Sequence, residues 1–356
     1  MARKLALLSD RFNTLWFENG CVKLLNRRKY PFSVEYVTCH NLEEVAVAIE
    51  NMTVQGAPPL AYAAGLGLAM LARESENLPR EAFFKALEAG DYRLRHTRPT
   101  GWDLDFILRN CMEIAHKTYE EQGDVSEAIR AYVYEMIADG NRIARDTGRY
   151  AADLIPDGAR IQTICFAGAA LNYTLYFAAE DGKDIQLFAS ETRPYLQGAR
   201  LTAQSAIEMG IPVTVVTDNM PAYLMYSKKT NLFISTADKI TMDGYIANKI
   251  GTYPLAMAAH DNDIPYYLLG YNGPVKGSYS PASLTIEERD PEEVLHCAGK
   301  RTAVQGAQGY YPAFDITSPK YISAVATDRG VFPARLIYRY HDTEYRDPFS
   351  GRGKDC

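Results

Sequence analysis

Between residues 159 and 269 the chain alternates short apolar runs with helical patterns, and that rhythm constrains its fold more than any other feature. The runs are Ile161–Phe166, Ile185–Ser190, Pro212–Thr217, Asn231–Ser235 and Pro265–Leu269. They read as short buried strands. Helical patterns over Gln197–Met209 and Asn248–His260 fall between them. Strands and helices in strict alternation predict an α/β fold built on a parallel, doubly wound sheet.

The first part of the chain has a different grain. Up to Cys39 it shows short apolar runs broken at Asn19-Gly20 and Tyr30-Pro31, which predicts a short β element. Helices follow: Asn41–Met52 with an Asn cap and an acidic first turn, the nearly all-apolar Leu60–Ala72, then Trp102–Glu120 and Val125–Ile143. A length of 356 residues and 47% hydrophobic content allow two domains with sizeable cores. A net charge of -6 argues against nucleic acid as a partner. No apolar run reaches the roughly 18 residues of a membrane span, and the start does not read as a secretory signal. The six cysteines, Cys21, Cys39, Cys111, Cys165, Cys297 and Cys356, have no pairing rhythm, so reduced thiols in a cytoplasmic protein are expected.

In open α/β sheets ligands bind outside the carboxyl ends of the strands. Four such ends carry chemistry here: Cys165 after the first strand, Glu191–Gln197 after the second, Asp218-Asn219 after the third and Asp238 after the fourth. Each has a plain alternative. Cys165 also suits a buried apolar position, Asp238 a cap or an ion pair, and Asp218-Asn219 the cap of the next helix. Lys249, placed in the first turn of an expected helix, opposes the helix dipole and so faces either an anion or solvent. Gln55-Gly56-Ala57-Pro58-Pro59 and Thr97–Trp102, the latter with Arg98, read either as anion sites or as ordinary helix starts. The histidines are dispersed and no clustered His/Asp/Glu set has metal-ligand spacing. No GxGxxG follows the first strand, which weighs against a dehydrogenase.

Taken in order, these segments resemble the methylthioribose-1-phosphate isomerase family, which is related to the regulatory subunits of the eukaryotic translation initiation factor 2B. The resemblance runs from about Val54 to about Val331. It rests on Gly56-Ala57-Pro58, Arg98-Pro99-Thr100, Glu191-Thr192-Arg193-Pro194 through Gln197-Gly198-Ala199-Arg200-Leu201-Thr202, Thr217-Asp218-Asn219-Met220, Ala247–Tyr253 and Pro312-Ala313-Phe314-Asp315. It implies a small, mainly helical N-terminal domain (1–130) followed by a Rossmann-like catalytic domain (131–356), as a homodimer. It implies an aldose–ketose isomerase of a 5-substituted ribose 1-phosphate that needs no cofactor or metal. By resemblance Asp238 is the acid/base and Cys165 the thiol at the reacting carbons. Gln55, Gly56, Ala57, Arg98, Gln197, Asn248 and Lys249 fall at substrate-binding positions.

Three positions depart from the family pattern. The family carries arginine where this chain has Gln55. It carries a small polar run after the cysteine, where this chain reads Phe166–Tyr173 and implies a bulkier, less polar pocket wall. It carries glycine where this chain has Thr236. These changes motivate a relative of methylthioribose 1-phosphate as substrate; S-methyl-5-thioribose 1-phosphate itself stays the default, 5-deoxyribose 1-phosphate comes second, and ribose 1,5-bisphosphate, which would want more cations around C5, comes after it. The reading from a different class is a non-catalytic regulatory subunit, which has no need to keep both Cys165 and Asp238.

Overall fold

A computed structural model describes residues 4–98 and 102–342, apart from the side chains of Ala57 and Trp102. The chain forms two compact units, one of Asp10–Asn141 and one that takes the chain up to Ser9 and from Arg142 onward. The units part at 141/142, not at 130/131, and one long helix runs through both positions.

The Asp10–Asn141 unit opens with the antiparallel sheet β1 (Leu15–Glu18), β2 (Cys21–Leu25) and β3 (Tyr36–Cys39). Asn19 and Gly20 join β1 to β2 with φ of 51° and 80°, the paired positive values that a two-residue hairpin turn of the primed type requires. Helices α1 (Leu42–Glu50), α2 (Ala57–Glu74), α3 (Arg80–Arg95), α4 (Trp102–Glu120) and α5 (Val125–Leu154) follow. The Asn41 side chain accepts from the Glu44 N–H and caps α1. α2 is apolar because it is buried, and a Cβ on its Gly65 would come within 2.6 Å of Val133 Cγ2. Helix α3 lies outside the helices expected from periodicity; Phe83, Phe84, Leu87 and Leu94 on it join the core of this unit.

The other unit alternates as expected: β4 (Ala159–Thr163), α6 (Gly168–Glu180), β5 (Ile185–Ser190), α7 (Ala203–Glu208), β6 (Val213–Val216), α8 (Pro221–Tyr226), β7 (Leu232–Thr236), β8 (Lys239–Ile240), β9 (Ile246–Lys249), α9 (Thr252–Asp261) and β10 (Tyr266–Tyr271). The short elements α10 (Glu292–Leu295), β11 (His296–Cys297) and β12 (Lys300–Arg301) precede β13 (Phe314–Thr317), β14 (Ala324–Thr327) and β15 (Gly330–Phe332). Among the described residues the main sheet has the order β15-β14-β10-β7-β4-β5-β6. Its neighbours are parallel except for β15, which pairs antiparallel with β14.

Both faces of that sheet are covered, and the strand period shows it. Leu232 and Ile234 pack into one core with α6 residues such as Leu171 and Leu175. Phe233 points the other way, into a core with Leu255 and Ala256 of α9. This explains why the strands read as continuous apolar runs rather than alternating ones.

Two expected helices change at their starts. Asn248–His260 is not one helix: Asn248 and Lys249 end strand β9, which lies between β8 and β13 in a second, antiparallel sheet, and α9 begins only at Thr252. The dipole argument for Lys249 therefore falls. Gln197–Met209 begins as a single π-helical turn over Gly198–Thr202 before α7. π-turns of this kind interrupt the regular hydrogen-bond ladder and are found disproportionately at functional sites.

Candidate active site

The order of the main sheet reverses between β4 and β7. From β4 the chain winds outward through β5 and β6, then returns to place β7 on the opposite side of β4. Thr163 on β4 is level with Ile234 on β7, so both strands run out at the same edge. Cys165 follows β4 by two residues and Asp238 follows β7 by two. The thiol and the carboxyl group thus leave neighbouring strands at the switch point of the sheet, the crevice where such folds bind ligands.

Asp238 is tied to the second sheet by its backbone N–H, which donates to Ala247 O at 2.9 Å. Lys239 pairs with Ala247 across β8 and β9. Continuing that register sets Asp238 opposite Asn248 and next to Lys249. On the other side of β9, Asn248 pairs with Asp315 and Lys249 with Phe314. Asn248 Nδ2 donates to Thr252 Oγ1 at 2.9 Å, and that hydroxyl donates to Lys249 O at 2.7 Å, locking the strand-to-helix turn. Lys249, 4% exposed, donates through Nζ to Ala313 O at 3.0 Å and lies 4.7 Å from the Phe314 ring centre. A lysine ammonium has three donors, and among the described residues Ala313 O is its hydrogen-bonded acceptor.

The charges act on one another. Burial pushes the Cys165 thiol up, against the pull of Lys249. Burial pushes the Asp238 carboxyl up as well, with Lys249 and Arg289 pulling it down. Asp238 is exposed and Cys165 half-buried, so the two acids border open space beside the buried Lys249. Burial lowers Lys249, while Cys165 and Asp238 hold it up. Two acids biased toward their neutral forms beside a buried cation can donate protons to an anionic substrate and take them back. Among the described residues no group of three or more His, Cys, Asp or Glu is placed to hold a metal ion.

The polar segment after β5 divides into scaffold and open groups. Asp218 does not cap α8, whose N-cap is Met220. Its carboxylate instead accepts the backbone N–H groups of Thr192 and Arg193 at 2.8 and 2.7 Å. Arg193 donates to Val294 O at 3.0 Å and Arg200 to Tyr195 O at 2.8 Å. These charges therefore shape the loop. Gln197 differs: it is 8% exposed and its Oε1 has no hydrogen-bond partner among the described residues. An unsatisfied buried acceptor ahead of a π-turn suits a ligand hydroxyl.

The other expected binding residues lie in the Asp10–Asn141 unit. Gly56, with φ 93°, is the N-cap of α2. Pro58 and Pro59 remove two of the first-turn N–H donors, so this helix start offers fewer free amides than its glycine suggests. Ala57 belongs to α2, and its side chain lies outside the described residues. Gln55 is buried; its Nε2 donates to Met52 O at 3.1 Å, its carbonyl accepts from Arg27 Nη1 at 2.6 Å, and its Oε1 has no hydrogen-bond partner among the described residues. Arg98 sets Nη2 against the Met52 sulfur, and Pro99, Thr100 and Gly101 lie outside the described residues.

The run after Cys165 is not mainly a pocket wall. Ala169, Ala170 and Leu171 are core residues of α6. Its first turn is held by Tyr271, whose hydroxyl donates to Ala167 O and accepts from Ala170 N–H, each at 3.2 Å. Tyr271, Arg289 and Phe314 were not among the expected site residues. Tyr271 ends β10, Phe314 opens β13 and Arg289 lies in an irregular segment, and the pairing of residues 287–289 with 311–313 brings the last two together.

The geometry agrees with what the chain is similar to. A methylthioribose-1-phosphate isomerase from Desulforamulus reducens is 37% identical over 331 residues, 90% of this chain and 95% of its own length. That of Thermotoga maritima is 39% identical over 326 residues, 89% of this chain and 94% of its own. The crystal structure of 5-methylthioribose 1-phosphate isomerase from Pyrococcus horikoshii OT3 superposes with a TM-score of 0.82 at 35% identity, covering 92% of this chain and 94% of the other. The translation initiation factor eIF-2B subunit delta from A. fulgidus gives 0.75 at 32% identity, covering 90% and 95%. The model of the Initiation factor 2 subunit family matches residues 53–334, and the chain belongs to that family.

Proposed function

We propose that the chain is an aldose–ketose isomerase that converts S-methyl-5-thioribose 1-phosphate to the corresponding ribulose 1-phosphate. The observation that carries this reading is the placement of Cys165 and Asp238 at the ends of adjacent strands at the switch point, both within electrostatic reach of the buried Lys249. The relatives bearing that activity in their names support it over nearly their whole length.

The chemistry is an internal redox exchange. The phosphate on the anomeric oxygen prevents the ring from opening as a free sugar does, so a proton must reach the ring oxygen as its bond to C1 breaks. C2 then gives up its hydrogen, C1 gains one, and the C2 hydroxyl loses its proton to become the ketone. Nothing is added or lost overall. Asp238, biased toward its protonated form, is the donor to the ring oxygen and the acceptor at the end. The Cys165 thiol faces C1 and C2. Lys249 and Asn248 hold the phosphate end, and Gln197 Oε1 accepts a ring hydroxyl. By resemblance Gly56, Ala57 and Arg98 also bind substrate. Gln55 in place of arginine removes one charge-assisted contact, worth about 1.5–3 kcal/mol. By resemblance too, the protein is a cytoplasmic homodimer.

A regulatory-subunit reading shares the fold of the A. fulgidus protein, but gives no use to a thiol and a carboxyl group set together beside a buried lysine. The test is a ketose assay on purified protein with methylthioribose 1-phosphate, 5-deoxyribose 1-phosphate and ribose 1,5-bisphosphate. Turnover highest on the methylthio compound is expected. A folded protein inert toward all three would overturn the isomerase, and a preference for another sugar would relocate the specificity to the C5 substituent. Turnover in deuterium oxide separates proton transfer, which leaves solvent deuterium in the product, from a direct hydride shift.

A further inference from the structure

Arg289 belongs to no motif read from the sequence, yet it stands at the reacting groups. Its guanidinium carbon lies 5.6 Å from the centre of the Phe314 ring, the same ring that Lys249 Nζ approaches at 4.7 Å. Cys165, Asp238 and Lys249 each feel its charge.

The residue is held from both its backbone and its side chain. Arg289 N–H donates to Tyr311 O at 2.9 Å, and Ala313 N–H donates to Glu287 O at 2.8 Å. Residues 287–289 thus run as a short added strand beside 311–313, with Glu288 bridging to Pro312. The guanidinium donates from Nε to Glu287 Oε1 at 3.0 Å and from Nη2 to Glu287 Oε2 at 3.3 Å. Its side chain is 15% exposed and lies 5.9 Å from the Tyr311 ring centre. The bidentate pair with Glu287 takes two of the five N–H donors and the Tyr311 hydroxyl lies within reach of the guanidinium, so the planar fork still has donors for a further acceptor.

Charge and distance then point to the same occupant. Arg289 is paired with the Glu287 carboxylate, whereas the hydrogen-bonded acceptor of Lys249 among the described residues is a carbonyl, Ala313 O. Two basic side chains set around one aromatic ring, with one carboxylate paired to them, favour an anion between them. In the proposed substrate the phosphate sits on the oxygen bonded to C1, the carbon that reacts, so cations beside the two acids are beside the phosphate.

We propose that Arg289 is a phosphate-binding residue of this site: with Lys249 it clamps the substrate's phosphate through its remaining donors, while Glu287 fixes the plane of the guanidinium. This rests on the isomerase reading for the identity of the substrate, but the anion site itself does not.

The experiment is calorimetric binding of inorganic phosphate to the full-length wild-type protein and to Arg289→Met, with steady-state kinetics alongside. Phosphate affinity is expected to fall about tenfold to a hundredfold in Arg289→Met, the loss of one charge-assisted contact. KM for methylthioribose 1-phosphate should rise with it. Arg289→Lys, which keeps the charge without the fork, should recover part of the phosphate affinity. Glu287→Gln frees the guanidinium and should weaken phosphate binding less than Arg289→Met does. Unchanged phosphate affinity in Arg289→Met overturns the clamp. If that variant does not fold, unchanged affinity and KM in Arg289→Lys overturn it instead. Phosphate binding does not depend on turnover, so an inactive wild-type protein that binds phosphate through Arg289 would sink the isomerase reading and leave this one standing.

Discussion

The backbone N–H of Cys165 donates to Thr192 Oγ1 at 2.8 Å, and both residues hold left-handed backbone, with φ of 60° and 63°. A positive φ is unfavourable for any residue but glycine, and more so for a β-branched one. Each such residue costs on the order of 1–3 kcal/mol and persists only where its surroundings enforce it. Here they do. Thr192 N–H is held by Asp218, its hydroxyl donates to Ser190 O at 3.1 Å, and Thr202 Oγ1 donates to Cys165 O at 2.6 Å. The backbone of the thiol is clamped on both sides.

Thr192→Val, nearly isosteric, removes the acceptor and leaves the Cys165 amide without it. The loss should be about 1–3 kcal/mol in stability, with kcat falling because the thiol is no longer held in place. Thr192→Ser should keep most of both. Chemical denaturation and steady-state kinetics on the two variants decide it; wild-type kcat in the valine variant would mean the clamp has no bearing on the reaction.

Asp238 and Cys165 predict the shape of the pH profile. Burial raises the Asp238 carboxyl, outweighing Lys249 and Arg289, and raises the Cys165 thiol in the same way. A proton-donating Asp238 works only while protonated, so kcat should decline as pH rises through its raised value and hold on the acid side until the protein unfolds. Asp238→Asn should abolish turnover. A carboxyl raised in the folded state contributes stability that is lost as pH rises, so the asparagine variant should be no less stable than wild type at neutral pH. Cys165→Ser should reduce turnover severely with the fold intact. Circular dichroism and the ketose assay read both; a fully active Asp238→Asn protein removes that carboxyl from the mechanism.

How much of this was legible depended on whether the signal was local. Strand Ile185–Ser190 and helix Trp102–Glu120 were readable to the residue because their patterns are complete within themselves. Asn41 announced its helix as a cap. Lys249 was misplaced because Asn248-Lys249 runs directly into an apolar helical pattern; what makes it a strand is pairing with Phe314 and Asp315, more than sixty positions away. Asp218 looked like a cap because an Asp-Asn pair before a helix usually is one, and its true acceptor role needs the Thr192 loop folded beside it. Arg289 carried no signal at all: its segment has no periodicity, and its partners lie on a strand still to come. Cys165 and Asp238 were legible as strand ends, but only the observed strand order makes β4 and β7 neighbours.

Gly198 should tolerate no side chain. A Cβ built on it falls 1.7 Å from Ser190 O and 2.9 Å from the Ser190 carbonyl carbon, atoms of the β5 backbone that cannot step aside. The π-turn therefore presses directly on the end of β5, immediately after Gln197. Gly198→Ala should destabilise by about 1–3 kcal/mol, the usual cost of overpacking, or more. It should also raise KM by displacing Gln197. Thermal unfolding combined with kinetics tests this, and an alanine variant with wild-type melting and KM would show that the turn slides freely.

Asp315 gives a stability prediction that activity assays alone would miss. Its carboxylate accepts the Gly251 N–H at 2.7 Å and the Tyr253 N–H at 3.1 Å, anchoring the start of α9 directly after Lys249. Burial nevertheless dominates those hydrogen bonds and lifts the group from 3.8 to about 6. A raised folded value means the native state binds the proton more tightly than the unfolded chain does. The contribution is then fully present below 3.8, is lost as pH climbs to about 6, and is flat above that. Asp315→Asn cannot titrate, so urea denaturation of the two proteins across that window should show a downward slope of stability with pH in the wild type that the variant lacks. Parallel slopes would mean the hydrogen bonds from Gly251 and Tyr253 offset burial in full, and a wild-type slope that rises relative to the variant would mean they outweigh it and that the carboxylate at the head of α9 is a net stabiliser at neutral pH.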